Sequence, residues 1–278
     1  MLDIKIIIDD ISLDKELITE HGFSSYITNG DKKILFDTGE YGNVVKNARK
    51  MNINLLDLDY IVLSHGHHDH TNGLESIIKI YTDNNVTIEQ RPVVIAHASA
   101  FDNRSQEGQC IGSSLSLTEI KKAFKVKLLN KLENITDNII YLGEIPRNND
   151  FENKIPVGEV INNGNSVPDF LIDDTALACK TDSGLVIITG CSHSGICNIV
   201  EYATTVINEK RIVNIIGGLH LKDSSELYIS KVIEELNKYN INKISACHCT
   251  GNKALNLFAE NGRLSINRIG CGYSVNYL

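Results

Sequence analysis

Four histidines and an aspartate fall within six positions, shortly after a short apolar run. The apolar run covers residues 60–63, and the polar stretch covers residues 65–70. Imidazole nitrogen and carboxylate oxygen are ligands that suit Zn²⁺, and iron and manganese also accept them. His65 and His67 are two positions apart, so one extended or tightly turned segment can direct both side chains at one ion. The stretch therefore predicts a metal site.

Asp69 and His70 come where a helix can begin, because residues 71–80 have helical spacing of apolar side chains. These two side chains are expected to face a second ion beside the first, as in two-metal sites. The alternative is a solvated loop with surface histidines, but a buried strand is rarely followed by so many ligand-type residues. His68 is expected to face away from its neighbours, where it is exposed or supports the ligands from outside.

Other histidines occur at or just beyond the ends of further predicted strands. The runs 93–96, 185–192, 212–219 and 243–247 lead to His97, His193, His220 and His248. Helical segments at about 195–208, 224–238 and 251–261 separate the later strands. This alternation favours an α/β fold with parallel neighbours, in which ligands bind beyond the carboxyl ends of the strands. The scattered histidines are therefore expected to meet at one edge of a sheet.

The first part of the chain predicts mainly strands, and the middle part interrupts the alternation. A strand is expected over residues 3–9, and a hairpin with its turn at 29–31 is expected over residues 23–36. A helix is expected at 41–51. Residues 99–170 mix short strands, one helix and polar loops, and we expect this region to be an insertion that covers the sheet edge as a lid.

Composition limits the class of protein. The chain has 278 residues, of which 42% are hydrophobic and 22% charged, as in an ordinary globular protein. No apolar run approaches the roughly 18 residues that cross a bilayer, and the N-terminus lacks the pattern of a signal peptide. Seven cysteines without regular spacing fit a reducing compartment. These features predict a cytoplasmic protein without a membrane partner.

The charge balance bears on the binding partner. The net charge of −8 disfavours a nucleic-acid partner, because nucleic acids bind to basic faces. A small-molecule substrate is expected instead, and the sequence leaves a homodimer open.

The arrangement His65-x-His67-x-Asp69-His70 resembles the signature of the metallo-β-lactamase superfamily. Segments 143–147, 189–195, 217–220 and 247–251 are similar to the branch of dihydropterin–ribofuranosylaminobenzene phosphate synthase-like proteins. The resemblance covers nearly the whole chain. It implies a single domain with an α/β fold of the αββα type, in which two mixed β-sheets carry helices on both outer faces and the metals lie at one sheet edge.

The resemblance also implies two sets of ligands. The first metal would be held by His65, His67 and His193. The second metal would be held by Asp69, His70 and His248. Zn²⁺ is the expected ion, as one or two ions, with iron or manganese as alternatives.

The sequence departs from the superfamily at the position that usually bridges the metals. Members usually have an aspartate in a Thr-Gly-Asp context, whereas the matching run here ends in Cys191. Cys191 can ligate as a thiolate or can be a small buried residue. One metal or two unequal metals therefore also fit. Asp37, in an Asp-Thr-Gly turn, would accept a hydrogen bond from a ligand, although this residue also suits a turn or helix cap.

Other candidate residues have weaker context. His220 is a candidate catalytic residue, as a ligand or proton shuttle, or else a packed side chain at a strand end. Arg104 and Arg147 are candidates for binding an anionic substrate group, because guanidinium binds phosphate or carboxylate at two points, although surface ion pairs are commoner.

Three further sets of side chains carry less information. His97 is expected to have a structural role, and His21 has no supporting context. Cys247 and Cys249 form a Cys-x-Cys pair without a second pair at matching spacing, which is a weak metal signal.

These features together predict a metal-dependent hydrolase or a related transferase. It would use a metal-activated water on a small anionic substrate, such as a phosphate-bearing pterin or ribofuranosyl compound. Asp69 would accept or donate the proton of the attacking water while holding a metal. The alternatives are an iron-dependent redox protein of the same fold and a non-catalytic metal or small-ligand sensor.

Overall fold

Strands rich in isoleucine and valine form the framework, because β-branched side chains pack well on a pleated surface. The computed structural model describes residues 1–162, 164–261 and 263–278. The strands are β1 (Leu2–Ile8), β2 (Ser24–Asn29), β3 (Lys32–Phe36), β4 (Tyr60–Val62), β5 (Val93–Ala96), β6 (Arg104–Gln106), β7 (Gln109–Cys110), β8 (Lys125–Leu128), β9 (Glu133–Asn134), β10 (Ile139–Tyr141), β11 (Glu159–Asn162), β12 (Asn165–Pro168), β13 (Ala176–Thr181), β14 (Gly184–Thr189), β15 (Arg211–Gly218), β16 (Asn240–Ile241), β17 (Lys243–Cys247), β18 (Ser265–Arg268) and β19 (Ser274–Tyr277). The helices are α1 (Asn43–Lys50), α2 (His68–Thr71), α3 (Leu74–Asp83), α4 (Leu117–Ala123), α5 (Ile196–Ile207), α6 (Glu226–Leu236) and α7 (Asn252–Glu260).

Two mixed sheets and one small sheet contain these strands. The first sheet has the order β19-β1-β2-β3-β4-β5-β8, and the second has the order β18-β17-β15-β14-β13-β10-β9 with β16 beside β15. Parallel pairing runs from β3 to β8 in the first sheet and from β14 to β18 in the second. The small sheet has the order β12-β11-β6-β7. Histidines follow β4, β5, β14, β15 and β17, and His21 lies between β1 and β2.

Three apolar clusters define the layers. The two large sheets face each other across a cluster that includes Ile34, Tyr141 and Val186. The outer face of the first sheet packs against α1, α3 and α4, and the outer face of the second packs against α5, α6 and α7. The order of layers is therefore helix, sheet, sheet, helix, and the αββα expectation is confirmed.

Most of the predicted elements are present. The hairpin is confirmed as β2 and β3, and the strands leading to four of the histidines are confirmed as β5, β14, β15 and β17. The helix predicted over residues 71–80 instead forms two pieces, α2 and α3. The interruption falls where the chain passes close to the loop after β3, since a Cβ on Gly73 would lie 1.9 Å from the carbonyl oxygen of Thr38.

The region 99–170 is not one insertion, which corrects part of the lid prediction. Helix α4 packs on the first sheet, β8 forms its edge, and β10 pairs with β13 in the second sheet. Only the small sheet lies apart from these layers, and the amide of His68 donates to the carbonyl oxygen of Ile111 at its border. Asn163 belongs to the predicted lid but lies outside the described residues. Among the described helices, none combines the length and apolarity needed to cross a membrane.

Candidate metal centre

Three imidazoles from two distant parts of the chain face one another. The ring centroids of His65 and His67 are 4.7 Å apart, and those of His193 lie 4.7 Å from His65 and 4.8 Å from His67. The Nε2 atoms of all three residues are buried without a hydrogen-bond partner among the described residues. Buried polar atoms are almost always paired, so three unpaired nitrogen atoms indicate that a ligand binds here. Its nitrogen lone pairs fit a metal ion.

A second set of side chains surrounds the Asp69 carboxylate. Oδ2 of Asp69 lies 3.5 Å from Nε2 of His70 and 3.3 Å from Nε2 of His248. The His65 and His70 rings are 4.2 Å apart, so this set adjoins the first. The structure thus brings together all six residues that the resemblance assigns to the two metals.

The Asp37 carboxylate supports both sets from behind. It accepts hydrogen bonds from the Ser64 amide at 2.7 Å, the Ser64 hydroxyl at 2.6 Å and Nδ1 of His70 at 2.7 Å. Because the Ser64 hydroxyl proton points to Asp37, Ser64 Oγ accepts from Nδ1 of His65, 2.9 Å away. His65 therefore carries a proton on Nδ1, which leaves its Nε2 lone pair free for a metal. Asp37 likewise keeps Nδ1 of His70 protonated and fixes the orientation of that ring. Asp37 therefore supports the ligand histidines through Ser64 and through Nδ1 of His70.

A close backbone approach makes this arrangement possible. A Cβ on Gly190 would lie 2.2 Å from Ser64 Oγ and 2.7 Å from Asp37 Oδ2. Only glycine leaves room for the loop after β14 to reach the Asp37 carboxylate. That loop continues to His193, so the glycine helps the second sheet deliver its ligand to the first.

Buried carboxylates fix the His193 loop. Oδ2 of Asp174 accepts bonds from the Ser194 amide at 2.8 Å and the Ser194 hydroxyl at 2.6 Å. Burial raises the pKa of Asp174 to about 6, and the two bonds from Ser194 oppose this shift. Glu152 accepts from the amides of Cys197 and Asn198 at the start of α5, both at 3.0 Å. The carboxylate thereby satisfies free amides at the helix N-terminus.

Acidic residues after β1 fix the His248 loop. The His248 amide donates to Oδ1 of Asp9 at 2.7 Å, and Nδ1 of His248 donates to Oδ1 of Asp10 at 2.9 Å. The proton on Nδ1 again directs Nε2 towards Asp69. His21 joins the same group, since its Nε2 lies 3.4 Å from Oδ2 of Asp69 and its ring centroid lies 5.0 Å from that of His248.

Burial keeps the first three imidazoles neutral. It lowers the pKa of His67 to about 3. Burial, together with the neighbouring imidazoles, also holds the pKa values of His65 and His193 well below 6.5. For His70 burial also lowers the pKa, but the Asp69 and Asp37 carboxylates outweigh it and raise the value to about 9. The first set thus offers three neutral nitrogen ligands, whereas His70 pairs as a cation with the Asp69 and Asp37 carboxylates.

The centre opens into a cleft of about 540 Å³. Its lining includes His220, whose ring centroid is 4.2 Å from that of His193, and the side chain of Lys222. His220 is exposed and has a φ of 53°, a left-handed conformation that non-glycine residues rarely adopt. His68 also lines the cleft, with Nδ1 3.4 Å from Oε1 of Glu40. His97 instead points to Glu144, with Nε2 3.0 Å from Oε1.

Arg104 has a structural position, which corrects its expected role in substrate binding. Arg104 is 3% exposed, and its guanidinium donates to Asp169 and Asp173, each at 2.7 Å. Asp173 in turn accepts from the Gly66 amide at 2.8 Å, between two of the histidines. Two buried carboxylates therefore neutralise Arg104, and the ion pair supports the loop that carries His65 and His67.

Arg147 is also engaged by the protein itself. Nη2 donates to the carbonyl oxygen of Leu171 at 2.7 Å, and Nη1 donates to that of Ile145. The guanidinium therefore ties two loops together, which corrects its expected contact with a substrate anion.

Some residues at the site were not predicted. The sequence around His21 gives no sign of its position at the site. Asp9 and Asp10 follow a strand just as the histidines do, which is the signal that could have identified Asp10. Cys249 lines the cleft, whereas Cys247 belongs to the apolar cluster between the sheets. The Cys-x-Cys pattern therefore does not act as a pair.

The fold and this site agree with the comparisons to known proteins. The chain matches the metallo-beta-lactamase superfamily over residues 18–113. An uncharacterized protein of Methanocaldococcus jannaschii is 33% identical over 269 residues, which cover 96% of this chain and 98% of the relative. The chain belongs to the metallo-β-lactamase superfamily.

Two further relatives show which branch of the superfamily the chain is similar to. The chain is 33% identical to the 7,8-dihydropterin-6-methyl-4-(beta-D-ribofuranosyl)-aminobenzene-5'-phosphate synthase of M. jannaschii, over 93% of this chain and 90% of the synthase. A crystal structure described as a metal-dependent hydrolase of the beta-lactamase superfamily has a TM-score of 0.85 and 30% identity, covering 99% of both chains. The expected branch of the superfamily is thereby confirmed.

Replacing Asp37 by alanine is expected to weaken metal binding without removing a ligand. The substitution releases His70 and Ser64, and losses of such supporting contacts reduce metal affinity by about 10–100-fold. Chelator competition with Zn²⁺ measures the change. Asp83→Ala, which removes an exposed carboxylate of α3, is the control and should bind zinc like the parent protein. Equal affinities for both variants would refute the supporting role.

Replacing Arg104 by methionine is expected to lower the free energy of unfolding by about 3–5 kcal/mol, because the substitution leaves two buried carboxylates without their cation. Urea unfolding measures the change. Arg211→Met breaks an exposed ion pair with Glu209 and should have a much smaller effect. A fully stable Arg104→Met protein would contradict the structural assignment.

Proposed function

We propose that the protein is a metal-dependent hydrolase, or a related transferase, that acts on a small molecule with an anionic group. The observation that carries the proposal is the set of buried, unpartnered Nε2 atoms of His65, His67 and His193. When bound there, a divalent cation such as Zn²⁺ supplies Lewis-acid polarisation and lowers the pKa of a coordinated water. Iron and manganese are the alternative ions.

The protein's own residues provide ligands and proton transfer. His65, His67 and His193 would hold one ion, and Asp69, His70 and His248 would hold a second. Asp69 is 6% exposed and reaches the cleft, so its carboxylate is in a position to take a proton from an attacking water. His220 stands at the exposed rim beside His193 and is suited to pass that proton to solvent.

The cleft lining supports an anionic substrate. Arg104 and Arg147 are engaged elsewhere, but Lys222, in the loop after β15, is a basic residue among the described residues that line the cleft. An ammonium group binds phosphate as a point charge. The synthase from M. jannaschii is named for a compound that carries a ribofuranosyl phosphate, and the 33% identity supports a similar substrate class. We propose a phosphate-bearing pterin or ribofuranosyl compound.

A second cavity extends the cleft and suits a ring system. It has a volume of about 420 Å³ and shares His193 and His220 with the first cavity. Its walls include Phe151, Leu219 and Tyr228. These apolar side chains share the walls with polar ones such as Asn153 and Lys154. Apolar walls with a few polar groups are the usual lining of a small-molecule site. Such a site accommodates a substrate with a flat apolar part and a charged end.

Asp69→Asn is expected to lower kcat by about 10²–10⁴-fold, the usual contribution of a general acid or base. The parent protein, with its metal content quantified, is first assayed on phosphodiesters, lactones, thioesters and β-lactams. The variant is then compared on the best substrate at equal metal content. Asp31→Asn changes an exposed turn residue and should keep the parent rate. A fully loaded parent protein without turnover on any class would count against hydrolysis and favour a metal-binding sensor.

Lys222→Gln is expected to raise KM for a phosphate-bearing substrate about tenfold, since one charge-assisted contact is worth at least about 1.4 kcal/mol. The KM of an uncharged analogue should stay the same, because that analogue has no anion to bind. Lys231→Gln, on the exposed side of α6, is the matched control. Equal KM values for Lys222→Gln and the parent would remove Lys222 from the substrate site.

A further inference from the structure

Two cysteines place their sulfur atoms beside the histidines of the candidate metal centre. Cys191, His248 and Cys249 each offer one ligand atom, and these atoms lie within 4.8 Å of one another. Cys191 forms equally close groups with His65 and His70, and also with His193 and His220. Its sulfur is therefore within reach of histidines from both ligand sets.

Cys191 lies between the two sets of histidines. Its Sγ atom is 3.2 Å from Nε2 of His70, and its side chain is 4% exposed. The residue follows β14 in the run Thr189-Gly190-Cys191, where the fold brings the second sheet against Asp37. Five imidazoles offer nitrogen atoms within 4.8 Å of this sulfur, and such surroundings favour a metal ligand over a packing residue in the apolar core.

Cys249 approaches the same place from the loop after β17. It is half-buried, lines the cleft and accepts a hydrogen bond from the His220 amide at 3.3 Å. A Cβ on Gly218 would lie 2.6 Å from Cys249 Sγ, so a glycine leaves room for this sulfur. His248 has a φ of 47°, which turns the chain so that His248 and Cys249 both reach the site.

We propose that Cys191 and Cys249 are thiolate ligands, with His248, at the second metal position. The centre would then select a borderline cation such as Zn²⁺ over hard cations such as Mn²⁺ or Mg²⁺, because thiolate is a soft ligand. Each thiol gives its proton to solvent as its metal–sulfur bond forms, and the step needs no oxidant or reductant. The inference rests on the metal centre of the proposed function and specifies its chemistry.

Zinc X-ray absorption on the full chain, isolated under reducing conditions and loaded with Zn²⁺, tests this proposal without an activity assay. The expected spectrum contains sulfur at about 2.3 Å besides nitrogen and oxygen at about 2.0–2.1 Å. Cys191→Ser and Cys249→Ser should each reduce the sulfur contribution. Cys110→Ser, which changes an exposed cysteine outside the cleft lining, should leave the spectrum unchanged.

Metal competition gives a second measurement. The ratio of Zn²⁺ to Mn²⁺ affinity should fall at least about tenfold in Cys191→Ser, since loss of a soft ligand weakens zinc binding selectively. Thermal unfolding of each apo-protein shows whether a variant remains folded, and Cys249→Ala serves as a second variant that removes the sulfur.

Two results would overturn the proposal. One is bound zinc surrounded only by nitrogen and oxygen, and the other is a Cys191–Cys249 disulfide that persists in the reduced, zinc-loaded protein. If turnover occurs without sulfur coordination, the cysteine proposal fails while the proposed function stands. If sulfur coordination occurs without turnover, the proposed function fails while the ligand assignment stands.

Discussion

The Asp37 carboxylate is fully buried, and three hydrogen bonds from Ser64 and His70 satisfy its two oxygens. A charged group without water is tolerated only when it is paired in this way. Through these bonds Asp37 connects the segment after β4 to α2. Through Ser64 it places the proton of His65 on Nδ1, and it fixes the orientation of the His70 ring directly. The orientation of His65 and His70 towards a common centre depends on this one carboxylate.

The rest of the fold brings the remaining ligands to that point. Parallel strands of the second sheet end near the same edge, and their loops deliver His193 and His248. Several residues in these loops have positive φ values, among them Ser192, His220 and His248. Such conformations cost about 1–3 kcal/mol each and persist when surrounding contacts impose them. Here the contacts are buried hydrogen bonds to carboxylates such as Asp9 and Asp174.

The αββα architecture and the set of six ligand residues were predicted from the resemblance to the superfamily. Local patterns alone predicted the α/β class and the meeting of the histidines at one sheet edge. Apolar runs define the strands, and parallel strands place their ends together. The expected roles of Arg104 and Arg147 were not predictable in the same way. Arg104 pairs with carboxylates 65 and 69 positions away in the sequence, and no local pattern reports such a pairing. The positions of His21 and Cys249 also depend on how distant loops meet.

In this metallo-β-lactamase-fold protein, burial keeps the imidazoles of His65, His67 and His193 neutral, so their nitrogen lone pairs are available to a cation before one binds. Crystallographic anomalous scattering, recorded at the absorption edge of the metal on metal-loaded crystals, tests this account most directly. The account predicts a peak bounded by the Nε2 atoms of His65, His67 and His193. A peak bound elsewhere on the chain, with these three nitrogens left unligated, would contradict it.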